Sequence, residues 1–370
     1  MPRVLIAGYY GYGNAGDDAL LTAIVRSLRD LAPDLELAVL SAQPETTARV
    51  FGVEAIRRLD LLAVFRAISR SDLLLMGGGS LLQDVTSRRN MVYYLGIAEL
   101  ARLRGRPAML FANGIGPVRT TFGRWLMKVL ANHLRLITVR DEPSLLELKR
   151  LGVTRPQIDL AADPALLLPP PSAAAGRQRL QQLGLADDDR PLIGLCVRPW
   201  KGSEAAGLAI ARAADQFCRQ HGGRAVFLPM QLPGDVTASR QVAAAMETEP
   251  FLPLASHDPA ELMDLTAALD LVVAVRFHSL VFAALAGVPL VGVSYDPKID
   301  HFLGSLGLEP VADLADLTAE RLLAAMESAW EGRANFADGI AGRLSSQRRL
   351  AERSVELAVE LARGERGDRR

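Results

Sequence analysis

The chain has 370 residues, more than one ordinary hydrophobic core accommodates, so the sequence predicts two domains. Its 49% apolar and 5% aromatic content is typical of a soluble α/β protein. The 42 basic residues balance 42 acidic ones, which argues against a nucleic-acid binder and leaves any anion site to a local cluster. The two cysteines, Cys196 and Cys218, have neither a disulfide framework nor metal-ligand spacing, which favours a reducing compartment.

Membrane and export signals are weak. The amino terminus enters a predicted strand at Val4, without room for a signal peptide. The most apolar run, residues 279–293, is too short to span a bilayer and is interrupted by glycine and proline. We therefore expect a cytoplasmic protein with at most peripheral membrane contact, at the inner face of the plasma membrane if its substrate is lipid-linked.

The first half of the chain alternates buried strands with amphipathic helices, as in a doubly wound parallel sheet. Strands are predicted at residues 4–7, 36–40, 73–76, 108–111 and 136–139. Helices are predicted at residues 17–31, 59–68, 91–103, 122–133 and 142–151.

A second alternating series follows the proline-rich stretch 169–176, which we interpret as a linker. Strands are predicted at residues 192–197, 225–228, 271–275 and 289–293. Helices are predicted at residues 204–220, 236–247, 259–268, 279–286 and 319–330, and a charged helix near 342–363 precedes a frayed tail.

The expected domains are residues 1–168, an N-terminal Rossmann-like domain on the acceptor side, and 177–341, a C-terminal Rossmann-like domain on the donor side. Residues 342–370 would form the C-terminal helix and tail. Two such α/β domains facing across a cleft resemble the GT-B type of transferase, in which a last helix often returns to the first domain.

Cationic side chains follow two neighbouring predicted strands of the second half. Arg276 and His278 come after the first strand, and Lys298 after the second. Because the carboxyl ends of parallel strands border the ligand crevice, these groups should meet at one site for an anion that needs a proton. The alternative is that Arg276 pairs with a carboxylate at the domain surface and that His278 only caps a helix.

A third buried strand, residues 192–197, ends at Arg198. Arg198 should therefore face the same site as Arg276, and two arginines could hold the two ends of a molecule that carries both phosphate and carboxylate. Trp200 would cover that site or shield the linker.

The glycine-rich loop after the first strand satisfies G-x-G-x-x-G but carries Asp17 and Asp18 where a pyrophosphate would bind. Because two carboxylates repel a pyrophosphate, we expect neither a nicotinamide nor a flavin site. Asn14 and Asp17 could instead bind sugar hydroxyls, and Asp17 could act as a base. For Asp17 a helix-capping role is equally consistent with the sequence, and for Asp18 capping is favoured.

A second glycine loop follows the strand at 73–76. Gly78, Ser80, Gln83 and Asp84 are candidate acceptor contacts, although the glycines could merely permit close packing. Asn113 begins a turn at another strand end and is a further candidate.

Together these motifs resemble the polysaccharide pyruvyl transferases, in particular bacterial members that place a pyruvate ketal on a cell-wall or exopolysaccharide sugar. The resemblance spans nearly the whole chain. Its motifs are GYGNAGDDA at 11–19, GGGS at 77–80, GIGP at 114–117, VRD at 139–141 with Ser144, DPA at 163–165, VR at 197–198, RFH at 276–278 and YDPK at 295–298.

The resemblance implies a GT-B-like fold, phosphoenolpyruvate as donor, and no required metal or other cofactor. It implies that Arg198 and Arg276 hold the donor's phosphate and carboxylate, that His278 is a general acid and that Lys298 assists with charge. The chain departs from the family pattern at Asn113, where glutamine is expected, and at Phe277, where leucine is commoner.

Two rival functions remain. A GT-B glycosyltransferase that uses a nucleotide sugar often has a ribose-binding glutamate at the position that Phe282 occupies. A non-catalytic anion-binding protein would not need His278 and Lys298, which are both present. We therefore favour an enzyme whose partners are phosphoenolpyruvate and a sugar acceptor; the sequence carries no signal for an oligomeric state.

Overall fold

The computed structural model describes residues 1–85, 88–185, 189–199, 204–253 and 258–365. Trp200, which was expected to cover the site or shield the linker, lies outside the described residues. The chain divides into two compact units. Unit 1 contains Met1–Tyr12, Asp17–Leu168 and the carboxy-terminal segment from Gln347, and unit 2 contains Gly13–Gly16 and Pro169–Ser346.

Unit 1 is built on a seven-stranded parallel sheet of order β3-β2-β1-β4-β5-β6-β7. Its strands are β1 (Arg3–Ala7), β2 (Glu36–Ser41), β3 (Glu54–Arg57), β4 (Leu73–Gly77), β5 (Ala108–Asn113), β6 (Leu136–Val139) and β7 (Gln157–Leu160). The two central strands β4 and β5 are buried at every position, as expected for a parallel sheet covered on both faces. The edge strands β3 and β7 were not predicted, because their half-exposed sequences, EAIR and QIDL, lack an apolar run.

The helices of the first half are α1 (Ala15–Leu31), α2 (Pro44–Phe51), α3 (Leu61–Arg70), α4 (Arg88–Leu103), α5 (Thr121–Leu130) and α6 (Glu142–Arg150). Helices α3, α4 and α5 contribute to one apolar core with the central strands, and α4 contacts both α3 and α5. These three helices therefore form one layer of unit 1.

Unit 2 has a four-stranded parallel sheet of order β11-β10-β8-β9. Its strands are β8 (Leu192–Cys196), β9 (Arg224–Phe227), β10 (Leu271–Ala274) and β11 (Leu290–Gly292). The helices of the second half are α7 (Ala173–Gln182), α8 (Glu204–His221), α9 (Gly234–Ala244), α10 (Pro259–Ala267), α11 (Phe277–Ala286), α12 (Pro297–Ser305), α13 (Ala319–Glu331) and α14 (Arg333–Ala362).

Helix α2 was not predicted, and three helices of the second half differ from expectation by more than small shifts of their ends. Helix α7 occupies part of the proposed linker, because the Ser172 hydroxyl accepts a hydrogen bond from the amide of Ala175 and caps a run of alanines. Helix α12 was not predicted, although the carboxylate of Asp296 caps it ahead of a proline at its first position. Helix α14 begins at Arg333, nine residues earlier than expected.

The later part of α14 belongs to unit 1. There the hydroxyls of Ser354 and Thr138, both buried, lie 3.0 Å apart. Within the described ranges, every helix is too short or too polar to span a lipid bilayer.

Candidate active site

Polar residues follow all four strands of unit 2 at the same edge of the sheet. Arg198 follows β8, Gln231 follows β9, Arg276 follows β10 and Tyr295 follows β11. The strands are parallel, and Ala274 of β10 is in register with Cys196 of β8 and with Gly292 of β11. These four residues therefore lie at the carboxyl edge of one sheet. His278 and Lys298 lie in the first turns of α11 and α12, which begin at this edge.

Arg276 is held by a buried carboxylate, whereas the alternative interpretation of the sequence placed such a partner at the domain surface. Its Nε donates to Asp235 Oδ2 at 2.9 Å, and its Nη2 donates to Asp235 Oδ1 and, at 3.1 Å, to Gln231 Oε1. Asp235 is completely buried and also accepts the amides of Met230 and Gln231 at 3.1 and 3.0 Å. Of the three guanidinium nitrogens of Arg276, only Nη1 makes no hydrogen bond to a described residue. The guanidinium therefore has a fixed orientation, and its charge is partly neutralised.

His278 packs against a glycine of the first loop. A Cβ atom added to Gly16 would lie 2.1 Å from Nδ1 of His278, far inside van der Waals contact. On the other side, the imidazole meets the ring of Phe277 edge-on, with centroids 5.1 Å apart. We had interpreted the motif containing Gly16 in terms of ligand approach. The third glycine of such motifs often permits close packing, so the motif itself could have predicted this role for Gly16.

The segment Gly13–Gly16 is attached to the loop after β9. Asn14 forms an antiparallel bridge with Gln231, and the Ala15 amide donates to the Met230 carbonyl at 2.9 Å. The Asn14 side chain accepts the Gly16 amide at 3.0 Å, so it caps α1, which begins two residues before the predicted start. Asn14 thus supplies the side-chain cap for which we had considered Asp17 and favoured Asp18, and both aspartates lie within the first helical turn.

The ring of Tyr295 lies close to both Arg198 and Lys298. The guanidinium carbon of Arg198 lies 4.4 Å from the centre of its ring, and Nζ of Lys298 lies 5.2 Å from it. Lys298 also pairs with Asp296 at 3.1 Å. We had inferred no role for Tyr295 from the sequence, although it belongs to the YDPK motif. The ring therefore has a fork-shaped and a point-like cation close to it, a suitable pair for a small dianion.

In unit 1, Asp17 lies beside the second glycine loop. Its Oδ1 would be 3.4 Å from a Cβ atom on Gly79, and Gly78 and Gly79 have φ angles of +65° and +72°, which favour glycine. The half-buried Ser80 accepts a hydrogen bond from Arg140 at 3.0 Å, and Arg140 also pairs with the buried Asp163 at 3.0 Å. Asp17, Gly78 and Ser80 therefore share one edge of the sheet.

Two candidate acceptor contacts have structural roles instead. Asp84 is buried, and its carboxylate accepts the amides of Arg119 and Thr120, both at 2.8 Å, and the Thr120 hydroxyl at 2.5 Å. Asn113 is fully buried and donates to the carbonyls of β4 and β5 at 3.0 and 2.9 Å. We had expected both side chains to face a sugar, and in the structure both are buried and bonded to protein groups instead.

Gln83 is half-buried, and its Oε1 accepts the amide of Val85 at 3.0 Å. It therefore stabilises its own loop and stays a candidate acceptor contact. Among the described residues, no group of three or more His, Cys, Asp or Glu side chains is arranged to hold a metal ion.

Comparison with known proteins identifies the family and the fold. A sequence model of the polysaccharide pyruvyl transferase family matches residues 14–297. The chain belongs to this family. The match runs from Asn14 at the glycine loop through Arg198, Arg276 and His278, and it stops one residue before Lys298. No curated protein sequence matches this family member.

Solved structures share the fold of this pyruvyl transferase family member at low sequence identity. A putative UDP-N-acetylglucosamine 2-epimerase from Listeria monocytogenes has a TM-score of 0.66 and 12% identity, over 100% of this chain and 98% of that one. HepE from Anabaena, in complex with UDP and glucose, has a TM-score of 0.65 and 15% identity, over 97% of this chain and 99% of that one. The ADP-heptose lipopolysaccharide heptosyltransferase II of E. coli has a TM-score of 0.51 and 17% identity, over 90% of this chain and 99% of that one. The fold is therefore GT-B-like, with two Rossmann-like domains, as predicted.

Proposed function

We propose that this family member transfers the enolpyruvyl group of phosphoenolpyruvate to two hydroxyls of one sugar, forming a pyruvate ketal and releasing phosphate. The acceptor would belong to a cell-surface polysaccharide or to its lipid-linked precursor. The observation that carries the proposal is the set of three cations and one imidazole at a single sheet edge of unit 2. A donor with a phosphate at one end and a carboxylate at the other needs such a set.

Arg198 and Lys298 are the proposed ligands of the donor's anionic ends, because both lie on the ring of Tyr295. Arg276 would contribute through Nη1, with Asp235 holding the rest of its fork in place. These fixed cations would stabilise charge on the departing phosphate.

His278 is the proposed general acid. It would give a proton to the methylene carbon of the donor, which leaves positive character on the adjacent carbon. A sugar hydroxyl would attack that carbon while Asp17 takes its proton. The carbon–oxygen bond to phosphate would then break, the second hydroxyl would close the ketal, and its proton would leave with phosphate. Asp17 follows Gly16, against which His278 packs, and this sequence position supports the assignment.

The rival function, glycosyl transfer from a nucleotide sugar, has less support from this chain. Phe282, at the position where a ribose-binding glutamate is expected, is fully buried in α11. It offers no polar group to a nucleotide.

Calorimetric titration with phosphoenolpyruvate, UDP and UDP-sugars tests the donor. We expect binding of phosphoenolpyruvate alone. His278→Ala should keep that affinity but lose phosphate release in the presence of glycoside acceptors, and the matched control His301→Ala, at an exposed position on α12, should keep both. Binding of a nucleotide sugar without phosphoenolpyruvate would refute the proposal, and near-normal turnover by His278→Ala would remove His278 from the mechanism.

A further inference from the structure

Two helices of unit 1 expose large apolar side chains to solvent. On α3, Leu61, Leu62 and Phe65 are 73%, 58% and 38% exposed. On α5, the three apolar side chains with the largest exposure are Phe122, Trp125 and Val129, at 53%, 56% and 36%. The residues on α5 are spaced by three and four positions, so they form one stripe along the helix, and Phe122 and Trp125 stack on each other. We refer to these six residues as the α3/α5 surface.

The same layer of helices is strongly basic, although the whole chain is neutral. Helices α3, α4 and α5 together contain seven arginines and lysines but one acidic residue, Glu99. Glu99 is already paired with Arg102 and His133. Four exposed basic residues border the apolar stripes and make no ion pair with any described residue: Arg66, Arg70, Arg124 and Lys128.

The α3/α5 surface begins at the edge of unit 1 that carries the proposed acceptor loops. Helices α3 and α5 follow β3 and β5, so their first turns lie at the carboxyl edge of the parallel sheet, where the loop containing Gly78 and Ser80 also lies. Asp84 of that loop binds the amide and hydroxyl of Thr120, two residues before Phe122. The apolar stripe of α5 therefore begins next to the acceptor loop.

We propose that the α3/α5 surface docks on an anionic phospholipid bilayer. Tryptophan and phenylalanine partition to the membrane interface, and the surrounding arginines and lysines complement anionic headgroups. A partner protein would satisfy the apolar residues, but the excess of unpaired positive charge favours a surface with a high density of anions. This inference rests on the proposed function, since it explains how a sugar on a lipid-linked precursor reaches the loops of unit 1.

Vesicle sedimentation of the full chain tests this inference without using the transfer reaction. We expect binding to vesicles of phosphatidylcholine with phosphatidylglycerol, weaker binding to phosphatidylcholine alone, and release by added salt. Phe122→Ser/Trp125→Ser and Arg124→Glu/Lys128→Glu should each reduce the partition coefficient at least about tenfold. Val50→Ser, which removes a 61% exposed valine from α2, is the matched control and should bind like the wild type.

Three outcomes would overturn the inference. Wild-type protein that ignores both kinds of vesicle would do so, as would equal binding by Phe122→Ser/Trp125→Ser. So would sedimentation equilibrium showing a dimer that this variant dissociates, because the surface would then be an interface between two copies. Calorimetry with phosphoenolpyruvate on the same proteins separates the two proposals: vesicle binding without donor binding would refute only the proposed function.

Discussion

Replacing Gly16 with alanine tests how the position of His278 supports the reaction. The new Cβ atom would lie 2.1 Å from Nδ1, 2.7 Å from Cγ and 2.9 Å from Cε1 of the imidazole, whereas ordinary contact begins at 3.4 Å. The ring must therefore move by at least about 1.3 Å, the difference between the two Nδ1 distances. A misplacement of about 1 Å can cost about 100-fold in rate, and overpacking costs about 1–3 kcal/mol of stability.

We therefore expect Gly16→Ala to release phosphate from phosphoenolpyruvate about 100-fold more slowly, in the presence of a glycoside acceptor that the wild type accepts. Its affinity for phosphoenolpyruvate, measured by calorimetry, should change much less, since the proposed donor ligands lie on Tyr295. Gly304→Ala in α12 is the control, because its Cβ atom would meet nothing within 4 Å. Equal turnover and equal thermal stability of the two variants would refute the packing argument and weaken the role of His278.

Three further predictions concern buried groups. Burial raises the pKa of Cys196 to about 12 and of Cys218 to about 11, from an ordinary 9.0, so both should resist a disulfide reagent at pH 8 until the protein is unfolded. Their protonated thiols stabilise the folded state below about pH 9, and this contribution to stability should fall as the pH rises towards 12. Rapid labelling of the folded chain would contradict the burial of these thiols. Asp84→Ala should lower the free energy of unfolding in urea by about 1–3 kcal/mol and leave donor binding intact, whereas unchanged stability would restore an acceptor-binding role. Asp235→Ala should lower the free energy of unfolding by about 3–5 kcal/mol, because it leaves the Arg276 charge unpaired. The double variant with Arg276→Ala should lose less stability than the sum of the single variants, and strict additivity would contradict the pairing.

Local sequence patterns predicted most of the fold. Continuous apolar runs identified the buried strands, such as β4 and β10, because a parallel strand covered on both faces needs apolar residues throughout. The Asp258–Pro259 pair marked the start of α10, where the carboxylate accepts the amide of Ala260. The same signature at Asp296–Pro297 began α12 and went unused, because we interpreted that stretch as a strand-end loop.

The assignment of side chains to roles was less predictable. Asp84 and Asn113 were plausible sugar ligands by residue type and position at strand ends. The structure gives the carboxylate of Asp84 and the amide nitrogen of Asn113 to partners inside unit 1, among them the amide of Arg119, 35 residues from Asp84. Residue type alone does not distinguish a polar group that faces solvent from one that completes a buried hydrogen-bond network.

By itself, the sequence determined the alternation of strands and helices, the polar residues at the strand ends and the family to which the chain belongs. These features depend on periodicity, on caps and on short motifs, all of which are local in the chain. Only the tertiary structure decided that Asp235 holds Arg276, 41 residues away, and that His278 packs on Gly16, 262 residues away. Such pairs form because the order of strands in a sheet brings distant loops to one edge, and no local pattern encodes which of those loops will meet.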